Sequence, residues 1–144
     1  YQASRAASYL FFAPTSVVRP GGIFIVPAPC QEGAGDGVGE QRFLKAMQDA
    51  PGIQFILEDA RQNGYPPGQQ RAFVMAKVLE QNEVIMVGCE DPDLIRSAKF
   101  STAPTIEDAF ALADRKLGSE LPAGDAVDAL VVPHALLTLP IVQG

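Results

Sequence analysis

Apolar positions along this chain switch repeatedly between helical spacing and short unbroken runs. Residues 2–12 read as a helix that ends ahead of Pro14. Pro20-Gly21-Gly22 then turns the chain into the run Ile23-Phe24-Ile25-Val26, a predicted buried strand. Helix resumes around Glu40 to Gln48, with Phe43, Leu44 and Met47 on one stripe, until Pro51-Gly52 breaks it. Ile53, Ile56, Leu57 and Ala60 follow at helical spacing, although Ile53-Gln54-Phe55-Ile56-Leu57 also fits a strand. The loop Asn63–Gly68 leads to a helix over about Gln69–Gln81 and to a second apolar run, Val84-Ile85-Met86-Val87. Asp91-Pro92-Asp93 starts a short helical turn, and Phe100–Ala103 suggests a brief extended piece. Thr105, with Asp108 three residues on, resembles a capping box opening a helix that Leu117-Gly118 ends. A third run, Ala129-Leu130-Val131-Val132, predicts a last strand before the proline-bounded tail Pro133–Pro140. Continuous apolar strands tied to helices indicate a sheet buried on both faces. The expectation is an α/β fold, Rossmann-like and single-domain, with a mainly parallel sheet and helices on both faces.

Composition narrows the function classes more than it names one. The 144 residues suffice for one domain with a real core. A net charge of −6 with no basic stripe argues against nucleic acid as a partner. Apolar runs fall well short of the roughly 20 residues of a membrane helix, so no membrane partner is expected. Two cysteines are too few for a disulfide scaffold and suit a reducing compartment, with cytoplasm the expected location.

The first turn holds the most suggestive polar group. Tyr1, Gln2 and Arg5 stand three and four residues apart and can share one helical face. An amide and a guanidinium there can donate paired hydrogen bonds to a carboxylate, aided by the positive potential of a helix start. Because that group sits at the first residues, the chain is expected to begin inside a functional site of a longer protein. The loop Gly33-Ala34-Gly35-Asp36-Gly37-Val38-Gly39 follows a strand and precedes a helix, but its glycine spacing fails the dinucleotide fingerprint and it lacks a P-loop lysine. It reads either as a flexible connection or as a close approach to a ligand beyond the strand ends.

Cys30 and Cys89 each follow a predicted strand, so a disulfide or redox pair is conceivable, but two small half-buried residues are the expectation. The lone His134 has no neighbouring ligand for a metal and is expected to be a hydrogen-bonded structural residue rather than one at the edge of a substrate. Glu58-Asp59, Glu90-Asp91 and Glu107-Asp108 are adjacent pairs that do not face each other in a helix, and read as solvated faces and caps. No complete catalytic set is visible.

In order and spacing, several segments together resemble the C-terminal domain of the nickel-dependent lactate racemase family. These are Tyr1-Gln2, Val18-Arg19-Pro20-Gly21-Gly22-Ile23, Cys30-Gln31-Glu32-Gly33-Ala34-Gly35, Met75–Leu79 followed by Val84–Val87, Ala103–Ala109, and Val132-Pro133-His134 with Leu139-Pro140. The resemblance implies a 2-hydroxy-acid racemase or epimerase. In it, a nickel pincer nucleotide, carried by an N-terminal domain absent from residues 1–144, exchanges hydride with C2 of the substrate. It further implies that Tyr1 and Gln2 line the substrate site, that this chain binds no cofactor or metal by itself, and that alone it is inactive. Arg5 stands where the lactate enzyme has a lysine, and Gln70 falls near an expected aromatic. A planar fork is not interchangeable with a point charge, so a larger or more polar 2-hydroxy acid than lactate fits as well. The rival expectation is a non-enzymatic α/β module that binds a small anion at its Gly-rich loop.

Overall fold

A computed structural model describes residues 1–119 and 126–141. Among the described residues, six α-helices and three strands follow in the order α1 (Gln2–Phe11), β1 (Ile23–Pro27), α2 (Val38–Asp49), α3 (Ile53–Asn63), α4 (Gln70–Gln81), β2 (Glu83–Val87), α5 (Pro92–Ser97), β3 (Ser101–Ala103) and α6 (Ile106–Gly118). The strands form one sheet in the order β1-β2-β3, and both pairings are parallel. Parallel neighbours need crossovers, here α2 to α4 between β1 and β2, and α5 between β2 and β3.

Alternation along the strands divides the core into two clusters. Phe24, Val84 and Met86 face one way, against Ala7 and Leu10 of α1, Phe43 and Met47 of α2, and Met75 and Val78 of α4. Ile85, Val87 and Ala103 face the other, against Ala109 of α6. Helices therefore cover both sheet faces, as the apolar pattern predicts. In α3 the helical stripe wins over the strand alternative, because Ile56 and Leu57 are both buried and the helix packs on α4.

Local chemistry sets the element boundaries. The Asp91 carboxylate accepts from the Leu94 N–H at 2.9 Å and Pro92 follows it, which starts α5. Thr105 Oγ1 accepts from the Asp108 N–H at 3.1 Å, and its hydroxyl donates to the Asp108 carboxylate at 2.8 Å. The turn into β1 shows why two glycines stand together. A Cβ on Gly22 would lie 2.5 Å from Val18 Cγ1 and 3.0 Å from the Arg19 carbonyl oxygen. Buried Asn82 donates to the carbonyls of Arg19 and Gly22 at 2.8 and 3.0 Å, fixing that turn to the end of α4.

One predicted element fails. Residues 129–132 are irregular, with Leu130 68% and Val131 79% exposed. Pro133 closes the run, and a single 3-10 turn that follows it, Ala135–Leu137, packs on α1. The segment thus joins the helical layer instead of an open sheet edge, and the third strand is the short piece Ser101–Ala103.

Candidate functional site

α1 leads into the amino end of β1, and α4 into the amino end of β2, so both helices begin at the carboxyl end of the sheet. That is where open α/β sheets present ligand-binding groups. Gln2 and Arg5 do share a face: an Arg5 Nη donates to Gln2 Oε1 at 3.0 Å. The other Nη donates to the Tyr9 hydroxyl, and the guanidinium carbon lies 5.2 Å from the Tyr9 ring centroid. Tyr1 turns away from this pair. Its ring meets Phe43 edge-on, with centroids 5.5 Å apart and planes at 82°.

The residue that reaches both Tyr1 and α1 is Arg71, in the first turn of α4. Its guanidinium carbon lies 6.0 Å from the Tyr1 ring centroid, and an Nη donates to Ser8 Oγ at 2.9 Å. The Nε–H is buried and has no partner among the described residues. Burial pulls this guanidinium below its ordinary pKa; the Tyr1 phenol opposes the shift, and nearby Arg5 adds to it. Among the described residues Arg5 and Arg71 have no ion-pair partner, as is also true of Arg19, Arg42, Arg61, Lys99 and Arg115, whereas Lys45, Lys77, Arg96 and Lys116 each pair with a carboxylate. What sets Arg5 and Arg71 apart is their proximity to one another. Two like charges thus lie close enough to repel, without an ion-pair partner among the described residues. Arg71, Ser8, Tyr9 and Phe12 line a cleft of about 480 Å³, closed on one side by Leu136–Leu139. Arg71 is not among the residues that the sequence pattern singles out, although one local signal points to it. It lies four and seven residues before Met75 and Val78, on the stripe α4 buries.

Other candidates resolve differently. In the Gly-rich loop, the Glu40 carboxylate folds back to accept from the Gly37 N–H at 2.9 Å. A Cβ on Gly35, whose φ is +92°, would meet that carboxylate at 2.3 Å. The loop therefore supplies its own anion at the start of α2. Gln70, exposed, accepts from the Gly68 N–H at 2.8 Å and orders the entry to α4. The His134 ring is exposed and has no hydrogen-bond partner among the described residues, while its backbone, at φ 55°, opens the 3-10 turn. The expected hydrogen-bonded histidine is thus not found. All six members of the acidic pairs are exposed, and Asp91 and Asp108 serve as caps. Cys30 and Cys89 do meet, with sulfurs 3.6 Å apart. No group of three or more His, Cys, Asp or Glu among the described residues could hold a metal ion. No described helix is long and apolar enough to cross a membrane.

Comparison with known proteins places this architecture. A search among curated proteins finds no match to the chain. The apoprotein of lactate racemase from Thermoanaerobacterium thermosaccharolyticum matches in structure with a TM-score of 0.65 at 20% sequence identity, over 82% of this chain. The chain covers 27% of that protein's length. The likeness in structure is one of fold, and the family model of the lactate racemase C-terminal domain matches residues 1–133. By that match over nearly its whole length, the chain belongs to the lactate racemase C-terminal domain family.

Proposed function

We propose that these residues form the substrate-side domain of a 2-hydroxy-acid racemase or epimerase, that Gln2, Arg5 and Arg71 hold the substrate carboxylate, and that Tyr1 lines the site beside its 2-hydroxyl. The observation that carries this reading is the pair of guanidiniums, Arg5 and Arg71, placed together at the carboxyl end of the sheet without an ion-pair partner among the described residues. Bringing like charges together, one of them half-buried, costs free energy unless an anion offsets it. A carboxylate accepts paired N–H groups from such forks, and a hydrogen bond to a charged group contributes roughly 1.5–3 kcal/mol. The Tyr1 hydroxyl has no partner among the described residues and is available to a polar substituent such as the 2-hydroxyl.

The described residues do not offer a ligand set for nickel. In this proposal, the nickel pincer nucleotide that the family resemblance implies is held by an N-terminal domain of a longer protein, where it would supply hydride exchange at C2. The present domain binds and orients the acid, beside an apolar wall formed by Phe12 and Leu136. Arg5 and Arg71 together favour an acid that carries more than one anionic or polar group. Glu40 already fills the anion position at the start of α2, which weighs against an anion-binding module built on the Gly-rich loop.

The test is chemical. The complete protein carrying this domain, loaded with the cofactor, is incubated with single enantiomers of a panel of 2-hydroxy acids. Chiral chromatography should show the opposite enantiomer accumulating for at least one of them. No interconversion across the panel by the loaded protein would overturn the reading.

A further inference from the structure

Beyond the arginine wall, the carboxyl end of the sheet holds a second unusual feature. β1 and β2 pair in register up to Pro27 opposite Val87, and the ladder continues past the strands. The Ala28 N–H donates to the Val87 carbonyl, and the Glu90 N–H to the Pro29 carbonyl, both at 2.9 Å. These bonds flank Cys89 and hold the chain directly ahead of Cys30 beside it, so the two cysteines leave the ladder next to each other. The sulfurs lie 3.6 Å apart, in van der Waals contact. A bond between them requires roughly 2.05 Å, so one sulfur must advance by about 1.5 Å. Cys30 can supply that movement. It has a φ of 52°, in the left-handed region, and it opens the tight turn in which its carbonyl accepts from the Gly33 N–H at 2.9 Å. Cys30 also lines a small cavity that it shares with Tyr1 and Phe43.

We propose that Cys30 and Cys89 close into a reversible intrachain disulfide that ties the exits of β1 and β2 together beneath Tyr1. The oxidant is a peroxide. The Cys30 sulfur attacks one peroxide oxygen, the O–O bond breaks, and Cys30 sulfenic acid and one water form. The Cys89 sulfur then attacks the Cys30 sulfur, the S–O bond breaks, and the Cys89 proton leaves with the hydroxyl as a second water. Two thiols lose two electrons in all, and the peroxide gains them. The order of attack follows from the surroundings. Burial, and then the hydrogen bond with Cys30, push the Cys89 thiol up to about 12, and its S–H points to the Ala28 carbonyl at 3.1 Å. Cys89 therefore keeps its proton, which leaves the first attack to Cys30. The disulfide acts on the turn that carries Gly33 and on the cavity against the Tyr1 ring, and so gives the proposed substrate wall a redox-dependent position. Formation of the bond itself does not depend on the activity proposed above.

The experiment treats the reduced chain with a small excess of hydrogen peroxide and follows thiol content, intact mass and peptide linkage without reductant. The expected result is loss of both thiols together, a mass lower by two hydrogens, a linked Cys30–Cys89 peptide, and full reversal by dithiothreitol. Oxidation should also raise the thermal midpoint of the wild type but not of Cys30→Ser, and should shift the Tyr1 ring resonances in the NMR spectrum. Retention of two free thiols, separate sulfinic acids on each cysteine, or only cross-linked dimers would overturn the disulfide. A disulfide that leaves the Tyr1 resonances unmoved would overturn its coupling to the substrate wall.

Discussion

The two ends of the sheet treat polar side chains in opposite ways. At the amino end, donors meet acceptors from within the chain: Asn82 holds two carbonyls of the Arg19–Gly22 turn, although its own Oδ1 is buried without a partner among the described residues, and Lys116 pairs with Glu83 at 2.5 Å, where Ser101 also donates to Glu83. At the carboxyl end, Arg5 and Arg71 stand together without a carboxylate among the described residues, and two free thiols touch. Polar groups answered within the chain serve the fold. In the proposal made above, the two guanidiniums, hydrogen-bonded within the chain but without an ion-pair partner among the described residues, are where a substrate anion would complete the chemistry.

That contrast can be broken or sharpened by substitution, and the largest effect belongs to the amino end. Asn82→Ala orphans two carbonyl acceptors and should cost about 2–4 kcal/mol in urea unfolding, while leaving substrate affinity of the complete protein near wild type. At the carboxyl end the pattern should invert. Arg71→Met keeps the apolar stem and removes a half-buried charge, so unfolding free energy should change by less than about 1 kcal/mol. The apparent affinity for the 2-hydroxy acid should fall by roughly 1.5–3 kcal/mol, about ten- to a hundredfold in KM. Arg5→Lys keeps the charge and loses the fork, and should weaken KM by about 1 kcal/mol or less, with a shift in preference among acids.

A further expected effect is a pH dependence. Cys89 binds its proton more tightly folded, at about 12, than at its ordinary 9.0. Between those values the unfolded chain releases a proton that the folded chain keeps, so stability is fully present below pH 9.0 and declines toward pH 12. Under reducing conditions the alkaline decline of the thermal midpoint should be shallower in Cys89→Ala. An unchanged slope would remove Cys89 from that explanation.

Much of the architecture was legible because its signals are local. The runs Ile23–Val26 and Val84–Val87 became adjacent parallel strands, and the caps at Asp91 and Thr105 start helices as their spacing predicts. Residues 129–132 carry the same β-branched signal yet form no strand, because an apolar run does not say which surface it meets. Their route past Pro133 onto α1 is tertiary information. The site divides similarly. The Gln2–Arg5 contact follows from three-residue helical spacing, whereas Arg71 reaches Ser8 and Tyr1 from another helix, far along the chain. A charge on the buried stripe of α4 was the one local hint. The meeting of Cys30 and Cys89 likewise depends on strand register, which no cysteine spacing encodes.

The most direct test of the central claim is steady-state racemisation by the complete, cofactor-loaded protein, comparing wild type with Arg71→Met on its best 2-hydroxy acid. The account predicts a KM raised about ten- to a hundredfold with the fold intact by urea unfolding. An unchanged KM, with the same stability, would contradict it and return Arg71 to a structural role on α1.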